Sequence, residues 1–280
     1  MGRIDCKTLK REVIATMCLI FIGHRSHKDM PLIVAANRDE FFARETRQAH
    51  CWDDGVIAGR DGRAGGTWLG IGSNSRFAAI TNRRGSAPKD GIRSRGELTA
   101  NFLRGSATPA DYAASIAENG QDYAGFNLLI GDADSLYYLN NEVLAAPREL
   151  APGYYGLSNG VLDEPWPKVS KGKQRFQILA SESPVLTTDT LIDLMDDREK
   201  AEDHELPSTG LTLALERRLS SAFIQNEKDP NEEILGLHDY GTLCSTALIR
   251  DQKGNVRFHE RNYDALGRPT QSHFFHLGTG

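Results

Sequence analysis

From Met17 onward, apolar residues fall mainly into short runs separated by Gly, Asn and Asp. Cys18-Leu19-Ile20-Phe21-Ile22 and Leu32-Ile33-Val34-Ala35-Ala36 are continuous rather than alternating. That pattern predicts strands over 18–23 and 32–36 that are buried on both faces. Segments 56–58, 67–71 and 77–81 are strand-sized and bounded by turn residues. Two helices follow. Segment 97–103 places Leu98, Phe102 and Leu103 on one side, and Thr108-Pro109 supplies a cap and a first-turn proline before Tyr112, Ala113 and Ile116. Strand character returns at 126–130, 136–139 and 154–157. A helical block is expected over 168–197, broken near Ser181-Glu182-Ser183-Pro184, and a further helix over 211–223. The charged, Pro-punctuated stretch 197–239 reads as surface loops. Segments 242–249 and 256–260 flank Asp251-Gln252-Lys253-Gly254, the signature of a hairpin. Strands joined by tight turns, then helices, then more strands predict one α+β domain over 17–280 rather than a parallel doubly wound sheet.

Composition narrows the partners. A hydrophobic fraction of 39% and a charged fraction of 25% over 280 residues describe an ordinary globular chain. The net charge is -5, with basic residues spread along the sequence, so nucleic acid is not an expected partner. Cys6, Cys18, Cys51 and Cys244 are far apart, which argues against a disulfide framework or structural zinc and for a reducing, cytoplasmic setting. No run approaches the roughly 18 apolar residues of a transmembrane segment. Residues 1–16, with Arg3, Lys7, Lys10 and Arg11 against Asp5 and Glu12, lack an apolar secretory core. They read either as an extension ahead of the true start at Met17 or as a weak targeting segment. The eight histidines show no zinc-ligand spacing. His24 or His50-Cys51 would be the candidates to meet a haem iron, against the ordinary reading of hydrogen-bonded histidines.

Chemistry concentrates where apolar patterning breaks. The run ending at Ala36 stops at Asn37-Arg38-Asp39-Glu40 and resumes with Phe41-Phe42. Four polar groups at the end of a buried strand require partners; a solvated strand end with Arg38 pairing an acidic neighbour would satisfy them. Cys18 would ordinarily be a small core residue, but it directly follows Met17. Were it the first residue, its α-amine would titrate near about 7.7–8.0 and serve as base for its own thiol. Arg38 could then stabilise the thiolate, and Asp39 orient the amine. Adjacent strand residues face opposite ways, however, so both reach Cys18 only if a bulge or turn intervenes. Asn82 and Asn159 end strands, and their amides are either oxyanion donors or turn residues. Gly156-Leu157-Ser158-Asn159-Gly160 matches a nucleophile elbow in spelling, but Asp163-Glu164-Pro165-Trp166-Pro167 delays the helix such an elbow requires. Gly65-Gly66-Thr67-Trp68-Leu69-Gly70 fits neither a phosphate loop nor a dinucleotide fingerprint.

Taken together, Met17-Cys18-Leu19-Ile20-Phe21, Ala35-Ala36-Asn37-Arg38-Asp39-Glu40-Phe41 and Gly65-Gly66-Thr67-Trp68-Leu69-Gly70 resemble the signatures of the NRDE family, the Transport and Golgi Organisation homologues. Ala79-Ile80-Thr81-Asn82, Arg95-Gly96-Glu97-Leu98, Gly125-Phe126-Asn127-Leu128-Leu129, Tyr155-Gly156-Leu157-Ser158-Asn159 and Pro165-Trp166-Pro167-Lys168 continue the likeness in order. The family in turn resembles the cysteine N-terminal-nucleophile hydrolases. That likeness implies a four-layer αββα sandwich, Cys18 as nucleophile and base, Arg38 and Asp39 as its electrostatic partners, and Asn82 and Asn159 as oxyanion donors. The implied activity is hydrolysis of linear amides through an acyl-thioester, with no resident cofactor. The alternative it implies is a carrier of a small ligand, an acyl lipid or haem, linked to Golgi organisation and secretion. A scaffold without a small ligand is a third.

Overall fold

The computed structural model describes residues 17–84, 93–143, 146–183, 185–226 and 237–278; the extension 1–16 lies outside them. The buried runs become two antiparallel sheets. The first orders its strands β10 (Gly153–Leu157), β1 (Met17–His24), β2 (Leu32–Phe41), β11 (Tyr240–Arg250), β12 (Val256–Tyr263) and β13 (Pro269–Leu277). The second runs in chain order: β3 (Thr46–Cys51), β4 (Ile57–Asp61), β5 (Leu69–Ile71), β6 (Phe77–Asn82), β7 (Phe126–Gly131), β8 (Leu136–Asn140) and β9 (Arg148–Glu149).

Strand alternation then divides the core into layers. From the first sheet, Ile20, Ile22, Val34, Ala36, Leu248 and Phe258 meet Leu69, Ile71, Phe77, Ala79 and Leu129 of the second. The opposite face of the first sheet, with Leu19, Phe21, Ile33 and Ala35, packs under α3 (Pro167–Glu182) and α4 (Thr188–Met195). The outer face of the second, with Ala78, Ile80, Leu128 and Ile130, lies under α1 (Gly96–Arg104) and α2 (Pro109–Asn119). The result is helices, sheet, sheet, helices: the αββα sandwich expected from the resemblance.

Several element bounds differ from the sequence expectation. β2 continues through Asn37-Arg38-Asp39-Glu40 to Phe41 instead of stopping at Ala36, because its neighbours β1 and β11 pair with it over that length. The helix expected over 211–223 is only α5 (Leu213–Arg218). Beyond it the Ser220 and Ser221 hydroxyls donate to the carbonyls of Arg217 and Phe223, competing with helical bonding. The break in the 168–197 block is real, and a capping box at Thr187 restarts the chain as α4. β3 and β13 carry no apolar run; they border the two sheets, where solvent replaces one set of neighbours. Among the described residues no helix is long and apolar enough to cross a membrane.

Candidate functional site

Cross-strand register aligns the polar residues that interrupt the core. Cys18 lies opposite Arg38, Arg38 opposite Cys244, and Cys244 opposite Asn262, across four adjacent strands. Directly opposed residues share a face, and this row is one pleat beyond Ile20, Ala36 and Thr246. It therefore faces the second sheet, where apolar packing gives way to a cleft of about 990 Å³. Cys18, Arg38, Glu40 and Cys244 form one wall, and Trp68, Ile80, Asn82 and Arg95 another. A bulge at Leu243, between Thr242 and Cys244, lets β11 keep pairing while it bends at the cleft.

The pleat sorts the tetrad. Asn37 points to the helical layer and is fully buried. Its amide donates to the carbonyls of Met195 and Ala222, both at 2.8 Å, and its oxygen accepts from the Ser245 hydroxyl at 2.6 Å. It is a clamp between sheet and helices. Arg38 turns to the cleft beside Cys18, donates to the Thr46 hydroxyl at 2.9 Å and sits 3.8 Å from Glu40. Asp39 returns to the helical side, so of the two adjacent charged residues only Arg38 shares the face of the thiol. Asp39 accepts from the Thr242 hydroxyl at 2.7 Å, while its Oδ2 is buried without a hydrogen-bond partner among the described residues. Burial pushes its carboxyl up to about 6, against the lowering influence of the Lys168 charge and the Thr242 hydrogen bond. Glu40 faces the cleft near Arg38 and Arg44, and burial raises its carboxyl too.

Within the continuous chain the Cys18 thiol is held protonated. Burial first, then the Asp39 charge, push it up to about 12, outweighing Arg38 and the Asp39 main-chain N–H. The residue before it is also enclosed. The Met17 amide donates to the Tyr240 hydroxyl at 2.7 Å, and its sulfur lies 2.9 Å from an Arg84 Nη. Arg84 pairs with Glu216 at 2.7 Å and covers the Trp166 ring. Lys168, buried near Asp39, donates to the Leu219 carbonyl at 3.0 Å, and burial brings its ammonium down to about 8. A polar cluster of Asp39, Lys168, Tyr240, Arg84 and Glu216 thus surrounds the Met17–Cys18 junction from the helical side.

The expected asparagines separate. Asn82 lines the cleft. Asn159 is not among the lining residues; its amide donates to the Asn82 carbonyl at 2.9 Å and holds the two strand ends together. Ser158 is no elbow nucleophile. Its hydroxyl donates to the Cys18 carbonyl at 3.0 Å, and the next helix begins only at Pro167. Sequence reasoning did not single out Lys168 or Arg95, although both fall inside family-like motifs. Tyr240 and Arg84 carried no sequence signal, because their roles depend on contacts far apart in the chain. Among the described residues no group of three or more His, Cys, Asp or Glu side chains could hold a metal ion.

The profile of the Transport and Golgi organisation 2 family matches residues 17–265. The Transport and Golgi organization 2 homolog of Mus musculus is 33% identical over 261 residues, spanning 88% of this chain and 93% of that protein. The Bos taurus homolog is 34% identical over 283 residues, spanning 93% and 99%. The Drosophila melanogaster Transport and Golgi organization protein 2 is 30% identical, spanning 89% and 93%. Among solved structures, a Caenorhabditis elegans N-acylethanolamine-hydrolyzing acid amidase ortholog superposes with a TM-score of 0.46 at 10% identity, covering 83% and 92% of the two chains. Motif order, family match and relatives of nearly full coverage together show that this chain belongs to the Transport and Golgi organisation 2 family.

Proposed function

We propose that this chain hydrolyses linear C–N amides as a cysteine N-terminal-nucleophile enzyme, once Cys18 has become its first residue. The observation that carries the reading is the placement of Cys18. It directly follows a methionine, and its thiol lies on a ligand-sized cleft beside a guanidinium. With the Met17–Cys18 bond intact the thiol is a poor nucleophile. Removing the preceding chain leaves an α-amine that titrates near about 7.7–8.0 and can accept the thiol proton. The thiolate then attacks the amide carbon. Asn82, on the same cleft, is the candidate donor to the developing oxyanion. The Cys18 ammonium returns a proton to the departing amine as the C–N bond breaks, leaving an acyl-thioester. Water, deprotonated by the same amine, attacks the thioester carbon and releases the acid and the thiol. Arg38 is assigned to favour the thiolate, and Asp39 to balance the ammonium from beneath the sheet.

Intact-mass measurement on native protein tests this: the mature chain should begin at Cys18. That chain should be labelled by a cysteine-directed acyl probe, and Cys18→Ala should not. Native protein that retains Met17 would have no free amine and would end the reading.

The protonated thiol of the uncut chain favours a second reading, in which the cleft carries an acyl lipid or haem without chemistry, in keeping with the Golgi organisation named in the relatives. For a resident haem the donors do not fit. Among the described residues no histidine lines the cleft, and its two thiols are buried in the sheet.

A further inference from the structure

Charge within the cleft runs against the charge of the chain. The protein carries a net -5, yet among the described residues the cleft is lined by seven arginines and four carboxylates, with no lysine or histidine. Some of this charge is already compensated. Arg44 binds Asp61 at 2.6 Å and lies 3.5 Å from Glu40, and Arg93 pairs with Glu97. Arg47, Arg60, Arg63 and Arg95, in contrast, have no carboxylate within ion-pair distance among the described residues. Arg47 and Arg63 are exposed at the rim. Arg60 donates to the Gly65 carbonyl and stacks on Trp52.

Arg95 is the one of these whose charge is coupled to Cys18. It is half-buried at the amino end of α1, donates to the Gly125 carbonyl at 3.1 Å and senses the Cys18 sulfur electrostatically. Burial, reinforced by the Arg44 charge, lowers its guanidinium to about 10. The amino end of α1 adds positive partial charge to the same wall. The same cleft is lined by the apolar side chains of Phe42, Trp68, Ile80 and Leu243. A volume of about 990 Å³ is at the upper end for small-molecule sites.

We infer that the cleft takes an amphiphilic anion, a carboxylate or phosphate on an apolar chain, with the anionic group held by Arg95 and the apolar part against Trp68 and Leu243. A planar guanidinium without a carboxylate partner is suited to two-point contact with either oxyanion, and a partly enclosed cleft strengthens that contact. This deepens the amidohydrolase reading by naming the class of molecule that would carry the amide, and it rests on that reading only for the reaction.

Binding itself is the test. Calorimetric titration of the full chain with decyl phosphate, decanoate, decyl maltoside, decyltrimethylammonium and inorganic phosphate separates head group from tail. The two decyl anions should saturate and weaken as salt rises. Arg95→Gln should weaken them by about tenfold or more, the worth of one charge-assisted contact. Arg95→Lys, keeping the charge, should recover part of the loss, and matching thermal melts show that both variants fold. Equal binding of the uncharged or cationic decyl compound, or anion binding unchanged in Arg95→Gln, would overturn the inference. So would inorganic phosphate binding as tightly as decyl phosphate, since the apolar wall would then contribute nothing. Anion binding in a protein inactive on amides upholds the inference and fails only the hydrolase; amide hydrolysis without anion binding does the reverse.

Discussion

Asp39 shows how much one position can depend on its surroundings. It is adjacent to Arg38 in sequence, yet it belongs to a different compartment, with a buried oxygen that no described residue satisfies. Its carboxyl titrates near about 6 in the fold against an ordinary 3.8, with burial as the leading cause. The folded protein therefore binds this proton more tightly than the unfolded chain does. Its contribution to stability is present at low pH and is lost as pH rises from about 4 through about 6. Asp39→Asn keeps an oxygen for Thr242 and removes the titration. The stability of the variant relative to wild type should rise across that window by on the order of 2 kcal/mol. Denaturant melts at stepped pH provide the check, and a flat difference would mean that Lys168 already offsets the buried charge. The sequence announced the tetrad as unusual. It did not announce Lys168, whose charge reaches Asp39 only because α3 packs against β1, the strand paired with β2.

At the scale of elements, the contact of α3 with β1 decides how closely the helical layer approaches the strand that carries Cys18. Gly172 sits on α3 directly over Phe21; a Cβ there would run into the ring. Gly172→Ala should favour an isolated helix by ~1 kcal/mol. In the protein it forces the helix off the sheet, at a cost of about 1–3 kcal/mol, so net destabilisation is expected. Urea unfolding measures it, and adding Phe21→Leu should recover part of the loss; a neutral Gly172→Ala would show that the helix can shift freely. Helices and central strands were largely legible because apolar runs and caps are local signals. β3, β13 and the extension of β2 to Phe41 were not, since pairing with neighbours rather than composition creates them.

For the whole molecule, both sheets contribute to one inner core, so neither should unfold alone. Trp52 and Trp68 report on the second sheet and its helices, and Trp166 on the layer beneath the first. Equilibrium unfolding followed by tryptophan fluorescence and by far-ultraviolet circular dichroism should give coincident single transitions. Separated midpoints would show that the sheets are energetically independent. The runs of the sequence determined the α+β class, the resemblance carried by its ordered motifs implied the αββα sandwich, and together they marked Cys18 with Asn37-Arg38-Asp39-Glu40 as the candidate chemical centre. Only the tertiary structure divided that centre: Arg38 and Glu40 to the cleft, Asn37 and Asp39 to the helices. Only it gathered arginines from separate segments around Cys18. The pleat and the strand register set those directions, and register is a property of paired strands that no single strand carries.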